Sequence, residues 1–407
     1  MRTKFTLVMA LIIACFTTGN AQWTTVNTHC TQGLNCIALS GNNGVIGGNS
    51  GNFIYSSDAG VTWSDSDYYP YDAISAVAYA SASTVSAGSL GDYYSSTNSG
   101  VGFTPPTHFG TFGTYKDIVF TSSSNGFAID DYCDLATTTN GGQTWAITAH
   151  PCGANSPMND LDFPTASIGY ACGANGNVRK TTDGGTTWSA VTAPSIATVA
   201  YFDIQFLDTS TGFISGRTNT AQDTLVFKKT TDGGTTWIDM KYGILAAGIP
   251  LGAYIYSFSF IDYNNGYLET INKIYKTTDG GVTWTLDYTH TGAGNFSKII
   301  ATPTVVMATS VDGSAVRLGL SNTGITNIQD VHELSVYPNP SARTITLGSS
   351  LTSNENAYLE ISDANSRIIK AEKISNNKVD VSAFATGIYF GKLTTNDGNY
   401  RFKFVKQ

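Results

Sequence analysis

The sequence predicts an all-β chain: a seven-bladed β-propeller followed by a small C-terminal β-sandwich. Three observations lead there. A short turn motif recurs at blade-sized spacing. A strand–turn–strand pattern recurs upstream of it. Both give way near residue 328 to a different run of short strands.

The turn motif is clearest as Thr181-Thr182-Asp183-Gly184-Gly185-Thr186-Thr187-Trp188, and it returns at 230–237 and 277–284. Looser copies run over 56–63, 96–103 and 138–145, and a decayed one over 320–327. The turn residues are Asp58, Asn98, Asn140, Asp183, Asp232, Asp279 and Asn322, in steps of 40, 42, 43, 49, 47 and 43 residues. A period in the forties with strand patterning reads as one four-stranded blade per repeat. An Asp or Asn side chain accepts backbone N–H groups within its own turn. The glycine two positions on permits a positive φ that a β-carbon penalises. Trp63, Trp145, Trp188, Trp237 and Trp284 then open the next strand and offer a large apolar plate to pack between blades.

Upstream of the boxes lie Ile118-Val119-Phe120 with Asn125-Gly126-Phe127, Leu161-Asp162-Phe163 with Ile168-Gly169-Tyr170, Ile204-Gln205-Phe206 with Thr211-Gly212-Phe213, and Phe258-Ser259-Phe260 with Asn265-Gly266-Tyr267. Each reads as an inner strand, a turn and a second strand. Weaker versions surround Ile37, Val77 and Ile299. Trp23-Thr24-Thr25-Val26 reads as an outer strand without a box of its own, suited to completing the last blade and covering an open sheet edge. No segment of the propeller region has a useful helical period.

These residues resemble the Asp-box, or BNR, repeat of sialidase-like propellers. The paired F…G-Y and T-T-D-G-G-x-T-W units are most similar to propellers of the photosystem II assembly/stability-factor type. The resemblance covers residues 23–328 and implies the fold. It does not imply one function, because such boxes occur in hydrolases, binding proteins and assembly factors alike.

Arg2 and Lys4 precede an apolar run over 5–16, and Gly19-Asn20-Ala21 supplies small residues before Gln22. This reads as a signal peptide over 1–21. A rival reading takes Ile12-Ile13-Ala14-Cys15 as a lipobox with a lipid on Cys15. Cleavage after Ala21 leaves Cys30, Cys36, Cys133, Cys152 and Cys172, an odd number. Cys30 with Cys36, and Cys133 with Cys152, are the candidate pairs. No Cys/His spacing suggests zinc.

The propeller region, 22–328 with a connector beyond it, is acidic. From Gln22 to Asp330 there are 11 Lys and Arg against 23 Asp and Glu, whereas from Val331 to Gln407 there are 9 against 7. That balance disfavours nucleic acid and anionic membranes and suits cations, neutral glycans or basic proteins. Residues 329–407 form the linker and last domain. Its strands are expected at 344–347, 357–362, 367–374, 378–381, 387–394 and 399–405. Tyr337-Pro338-Asn339-Pro340, Gly387-Ile388-Tyr389-Phe390 and the basic end from Arg401 to Gln407 resemble the type A C-terminal sorting domain of type IX secretion cargo. The resemblance implies a Bacteroidota-type bacterium, engagement of the type IX secretion machinery, and a secreted or outer-membrane-surface location. The competing reading is a carbohydrate-binding sandwich.

Box residues are expected to be structural. Ligands are expected on the opposite face, around the central channel. Asp117, Asp160 and Asp203 each start an inner strand there. They either offer carboxylates to a cation or basic group, with calcium the one cofactor left open, or act as hydrogen-bond acceptors between blades, the plainer reading. His108, His150, His29 and His290, with Tyr68, Tyr69 and Tyr242, follow the box aromatics by similar steps and suggest a rim that stacks on sugars or protein. Most of these histidines are expected to be solvated. The apolar loop 238–256 and loop 104–116, with Phe109, Phe112 and Tyr115, are expected to be exposed partner surfaces.

A sialidase needs an arginine triad; the propeller holds Arg179, Arg217 and Arg317 and lacks R-I-P. A xyloglucanase-like hydrolase needs two facing carboxylates, one of which Asp130, Asp131 or Asp134 would supply. The expected function is therefore a monomeric binding or scaffold module for an unknown glycan or protein, with an Asp-box glycoside hydrolase and a surface adhesin as the alternatives.

Overall fold

Each box closes a hairpin through the same set of bonds. Thr181 Oγ1 accepts the Gly185 N–H at 2.9 Å, and Asp183 Oδ1 accepts the Thr187 N–H at 2.8 Å. Thr187 Oγ1 donates to Asp183 Oδ2 at 2.6 Å, and Trp188 Nε1 donates to the Gly185 carbonyl at 3.0 Å. These bonds hold the Asp183 carboxyl down at about 2. The boxes centred on Asp58, Asn98, Asn140, Asp232 and Asp279 repeat the core of the pattern. Two successive positions in every one of these turns are left-handed, not one: φ is 68° at Gly184 and 83° at Gly185, and Ala59 and Ser99 adopt it as well. The first of the two was not apparent from the motif, although the Gly-Gly pairs signal it.

The computed structural model describes residues 22–67, 71–108, 113–149, 157–191, 199–218, 225–320, 332–348, 357–363, 368–374, 377–395 and 398–407. The decayed box at 320–327 and the leader 1–21 fall almost wholly outside them. The chain divides into two compact units, Met1–Leu320 and Ser321–Gln407.

The first unit is seven four-stranded antiparallel sheets in chain order. The inner strands are Leu34–Ser40, Ala76–Tyr79, Tyr115–Phe120, Met158–Asp162, Val199–Phe206, Phe258–Phe260 and Phe296–Ala301, here blades 1 to 7. Successive inner strands adjoin, blade 7 returning to blade 1. Trp23–Val26 pairs with Ala315–Gly319 and supplies the outer strand of blade 7, so the chain's first strand closes the ring.

Aromatic stacks join the blades. Phe127 of blade 3 stacks on Phe163 of blade 4 at 4.1 Å, Tyr170 on Phe206 at 3.6 Å and Phe213 on Phe260 at 3.8 Å. Phe163, Phe206 and Phe260 each meet their own blade's box Trp edge-on. Blade 2 uses Phe103 in the Trp position, stacked on Phe53 of blade 1 at 4.0 Å. Such pairs contribute about 0.5–1.5 kcal/mol each beyond area burial.

Loop 238–256 departs from expectation. It contains a short helix, Lys241–Ala246, and Ile244, Ile249 and Ile255 are buried with Phe213, Leu225 and Phe227. Its apolar residues cover the end of blades 5 and 6 rather than facing solvent, which leaves Tyr242, Leu251 and Tyr256 exposed. In the other loop Tyr115 is buried, and Phe109 and Phe112 lie outside the described residues. Cys30 and Cys36 are free thiols, contrary to the expected pair. Cys36 is held in the blade 1 inner strand against the carbonyls of Gly47 and Ile74, which commits its Sγ to the blade interior. Cys133 is disulfide-bonded; Cys152 lies outside the described residues.

The second unit is a five-stranded sheet facing a three-stranded one. Its strands include Thr344–Leu347, Ala357–Asp363, Ile368–Ile374, Gly387–Thr395 and Gly398–Lys406, close to the expected bounds. Ile345, Leu359, Ile361, Leu393 and Phe404 are fully buried in its core.

Box glycines carry two constraints of different size. A Cβ on Gly185 would sit 2.9 Å from Phe127 of the preceding blade as well as at φ +83°, whereas Gly248 at φ +82° has nothing within 4 Å. Gly185→Ala is expected to destabilise the propeller by at least about 1 kcal/mol more than Gly248→Ala in denaturant unfolding. Equal losses would show that the close approach between blades does not matter.

Candidate functional site

The inner strand of each blade pairs on one side only, so its other edge presents unpaired N–H groups. In blades 4 to 7 side chains of the preceding blade take them up. Asp117 Oδ2 accepts the Leu161 N–H at 3.2 Å, Asp160 Oδ2 that of Ile204 at 2.8 Å and Asp203 Oδ2 that of Phe258 at 2.9 Å. Ser257 Oγ does the same for Ile299 at 3.3 Å. One layer deeper, Asp162 accepts from Phe206, Gln205 from Phe260 and Ser259 from Ala301. On the remaining seams Ser297, Asn35 and Ser75 donate to carbonyls of the next blade. Asp117, Asp160 and Asp203 thus make the bonds between blades that the plainer reading describes.

Each of these aspartates lies two residues after a buried residue of its inner strand: Tyr115, Met158 and Tyr201. A β-bulge separates the two positions. The same offset in blade 7 leads from Phe296 to Lys298, also across a bulge. Lys298 is the residue that sequence reasoning missed. Its Nζ is 3.6 Å from Asp203 Oδ1 and 3.7 Å from Asp160 Oδ1, so it spans from blade 7 to carboxylates of blades 5 and 4. These carboxylates lift the Lys298 ammonium above the usual lysine range despite its burial. Burial raises Asp117 to about 6 and Asp162 to about 7, and burial together with the neighbouring Asp203 raises Asp160. Glu269, on the second strand of blade 6, is 1% exposed, neither carboxylate oxygen has a hydrogen-bond partner, and burial raises it strongly. Among the described residues no group of three His, Cys, Asp or Glu side chains is arranged to hold a metal ion. The positive charge at the place considered for calcium is the lysine's own.

The expected rim is not one surface. His108 is exposed and bonds Asp92 at 3.0 Å, and Tyr242 is exposed under Lys241. His290 is buried, 3.0 Å from Asp312 and against Phe296, because its loop folds over blade 7. His29 is exposed, while His150, Tyr68 and Tyr69 lie outside the described residues. A different aromatic group gathers at the starts of the inner strands of blades 5 and 6. Tyr256 lies 5.1 Å from Phe202 and 5.2 Å from Tyr254, and Arg217 sits 4.5 Å over the Tyr254 ring.

The three propeller arginines are dispersed. Arg179 bonds Asn177, Arg217 covers Tyr254, and Arg317 donates to the Ala59 carbonyl of the first box. Asp130 is fully buried, capping its own turn through the Tyr132 and Asp134 amides, and burial lifts it to about 6. Asp131 is tied to the Thr114 amide and Lys116. A surface groove of about 470 Å³ lies away from the channel, at the boxes of blades 3 and 4, lined by Phe127, Thr138 and Gly185. Those residues already build the boxes and stacks.

In the second unit, Asn339 of the Tyr-Pro-Asn-Pro run accepts the Val405 N–H at 2.9 Å and donates to the Lys403 carbonyl at 3.1 Å. This fixes the run against the final strand, with Tyr337 exposed beside it.

Residues 335–407 match the family of secretion system C-terminal sorting domains. No curated protein matches the chain in sequence. A solved structure of YCF48 bound to D1 peptide has a TM-score of 0.61 at 14% identity, covering 74% of this chain and 96% of that one. YCF48 from Cyanidioschyzon merolae has a TM-score of 0.58 at 17% identity, covering 74% and 100%. PorZ, a surface component of the type IX secretion system of Porphyromonas gingivalis, has a TM-score of 0.52 at 11% identity, covering 91% of this chain and 59% of its own. The chain is therefore a β-propeller with a type IX sorting tail, and the tail directs export to the cell surface or beyond.

The channel acids make stability depend on pH. Burial lifts Asp162 to about 7 in the folded chain, against an ordinary value of 3.8. Between those values the folded chain binds more protons than the unfolded chain, so stability falls as pH rises from about 4 to about 7. Asp162→Asn keeps an oxygen for the Phe206 amide and is expected to raise the thermal midpoint by a few degrees at pH 8 but hardly at pH 4. An equal gain at both would exclude the carboxyl as its source.

Proposed function

We propose that this chain is a binding or scaffold module, displayed at the cell surface or released after type IX export. The observation that carries the reading is the use made of the polar side chains. The box residues close turns, and the channel aspartates bond the next blade. The aromatic group at Phe202, Tyr254 and Tyr256, outside the box hairpins, keeps an exposed ring in Tyr256. Rigid scaffolds that offer aromatic surface at loop ends suit recognition. The peptide in the YCF48 structure supports peptide or protein as the partner class, since the folds correspond. Of the carboxylates considered for hydrolysis, Asp130 caps its own turn and Asp131 bonds the Thr114 amide and Lys116.

The full mature chain is expected to bind members of a glycan or peptide array and to release no new reducing ends from polysaccharides. Release of reducing ends, lost on substituting a single acid, would establish a hydrolase instead. Deleting residues 335–407 is expected to leave the propeller in the periplasm, read by fractionation; unchanged surface or extracellular yield would contradict the role of the tail.

A further inference from the structure

Two inner strands bring unlike chemistries into adjacent layers. Phe202 and Tyr256 stand one residue before Asp203 and Ser257. One residue step, about 3.3 Å of extended chain, therefore separates these rings from the side chains that bond the next blade, a carboxylate in blade 5 and a hydroxyl in blade 6. Four other blades place Asn35, Ser75, Asn159 and Ser297 at that position, each donating to a carbonyl of the next blade. Tyr256 is 44% exposed, and Arg217 over Tyr254 shows a ring of this group already taking a cation on its face.

The layer beneath is short of positive charge. Among the described residues, Asp160 and Asp203 pair with the ammonium of Lys298, Asp117 lies near enough to act on its charge, and Asp162 follows one layer deeper. Glu269 adds a fifth carboxyl nearby, buried and without a hydrogen bond, which burial biases toward its protonated form. The propeller region as a whole carries 23 acidic against 11 basic residues. Such a field draws basic partners in and repels acidic ones.

We infer that the channel mouth over blades 5 and 6 docks a polypeptide segment bearing a lysine or arginine next to an aromatic or aliphatic side chain. The apolar side chain lies on Tyr256, and the cation points past the rings toward the surplus carboxylates, attracted by ring faces on the way. The inference rests on the binding-module reading and names its partner class.

The test uses the full mature chain and an array of short synthetic peptides of matched length. The peptides pair Lys, Arg, Glu or Ala with Tyr, Leu or Ser. Peptides with Lys or Arg beside Tyr or Leu are expected to bind best. Tyr256→Ala and Asp203→Asn are each expected to weaken that binding by about tenfold or more, while Asp65→Asn, on the exposed outer strand of blade 1, leaves it unchanged. Both test variants should fold: Tyr256 is exposed, and Asn keeps an oxygen for the Phe258 amide. The inference is overturned if basic pairs show no preference, or if the preference survives both substitutions. Binding of other peptides or of glycans with no such preference overturns it too, yet leaves the module reading standing. Only release of reducing ends overturns that reading as well.

Discussion

The inner edge of each blade sets the problem that the rest of the propeller solves. A strand at a sheet edge carries a row of N–H and C=O groups with no ladder partner, and burying them unpaired is costly. Seven such edges meet around one channel. The solution is a side chain one blade back, an acceptor for the edge amide on four seams and a donor to the edge carbonyl on the other three. A hydrogen bond of this kind contributes about 0.5–1.5 kcal/mol, or about 1.5–3 where the acceptor is charged. Its larger effect is to fix blade-to-blade register, because the acceptor and the amide belong to different sheets. The aromatic stacks near the boxes do the same at the other end of the strands.

Using aspartate for this work has an electrostatic consequence. Three carboxylates in successive blades converge on the channel, and burial alone would favour protonating them. Lys298 answers part of that charge from blade 7. A buried ion pair of this type is weak evidence of net stability, since desolvation opposes the attraction. Its effect on the channel is to place a side chain of the protein itself across it, from blade 7 to blades 4 and 5. What remains accessible is the mouth above, where the inner strands of blades 5 and 6 carry rings in place of amides and hydroxyls.

Much of the fold could be read from local chemistry. The box residues have a turn role that follows from Asp, Gly and Trp at fixed spacing, and Trp23 had no other sheet to join. The channel was only half legible. Asp117, Asp160 and Asp203 stood out because they share a residue type, whereas Lys298 occupies the same offset with the opposite charge, and a search for likeness passes over it. Aligning the strands by the buried residue before the bulge, Phe296 with Tyr115 and Tyr201, would have found it. The loop 238–256 was read as exposed because its apolar residues have no period. Its short helix and the packing of Ile244, Ile249 and Ile255 depend on what the ends of blades 5 and 6 leave uncovered, a tertiary fact. His290 is buried for a similar reason: Asp312, its partner, lies 22 residues away on another turn.

The account depends on the inner-edge amides being held across the seams. Hydrogen–deuterium exchange on the full mature chain measures this directly. The amides of Leu161, Ile204, Phe258 and Ile299 are expected to exchange as slowly as ladder amides within the same blades. Exchange at the rate of exposed loops would contradict the account, leaving the channel aspartates without a structural role and free for a ligand.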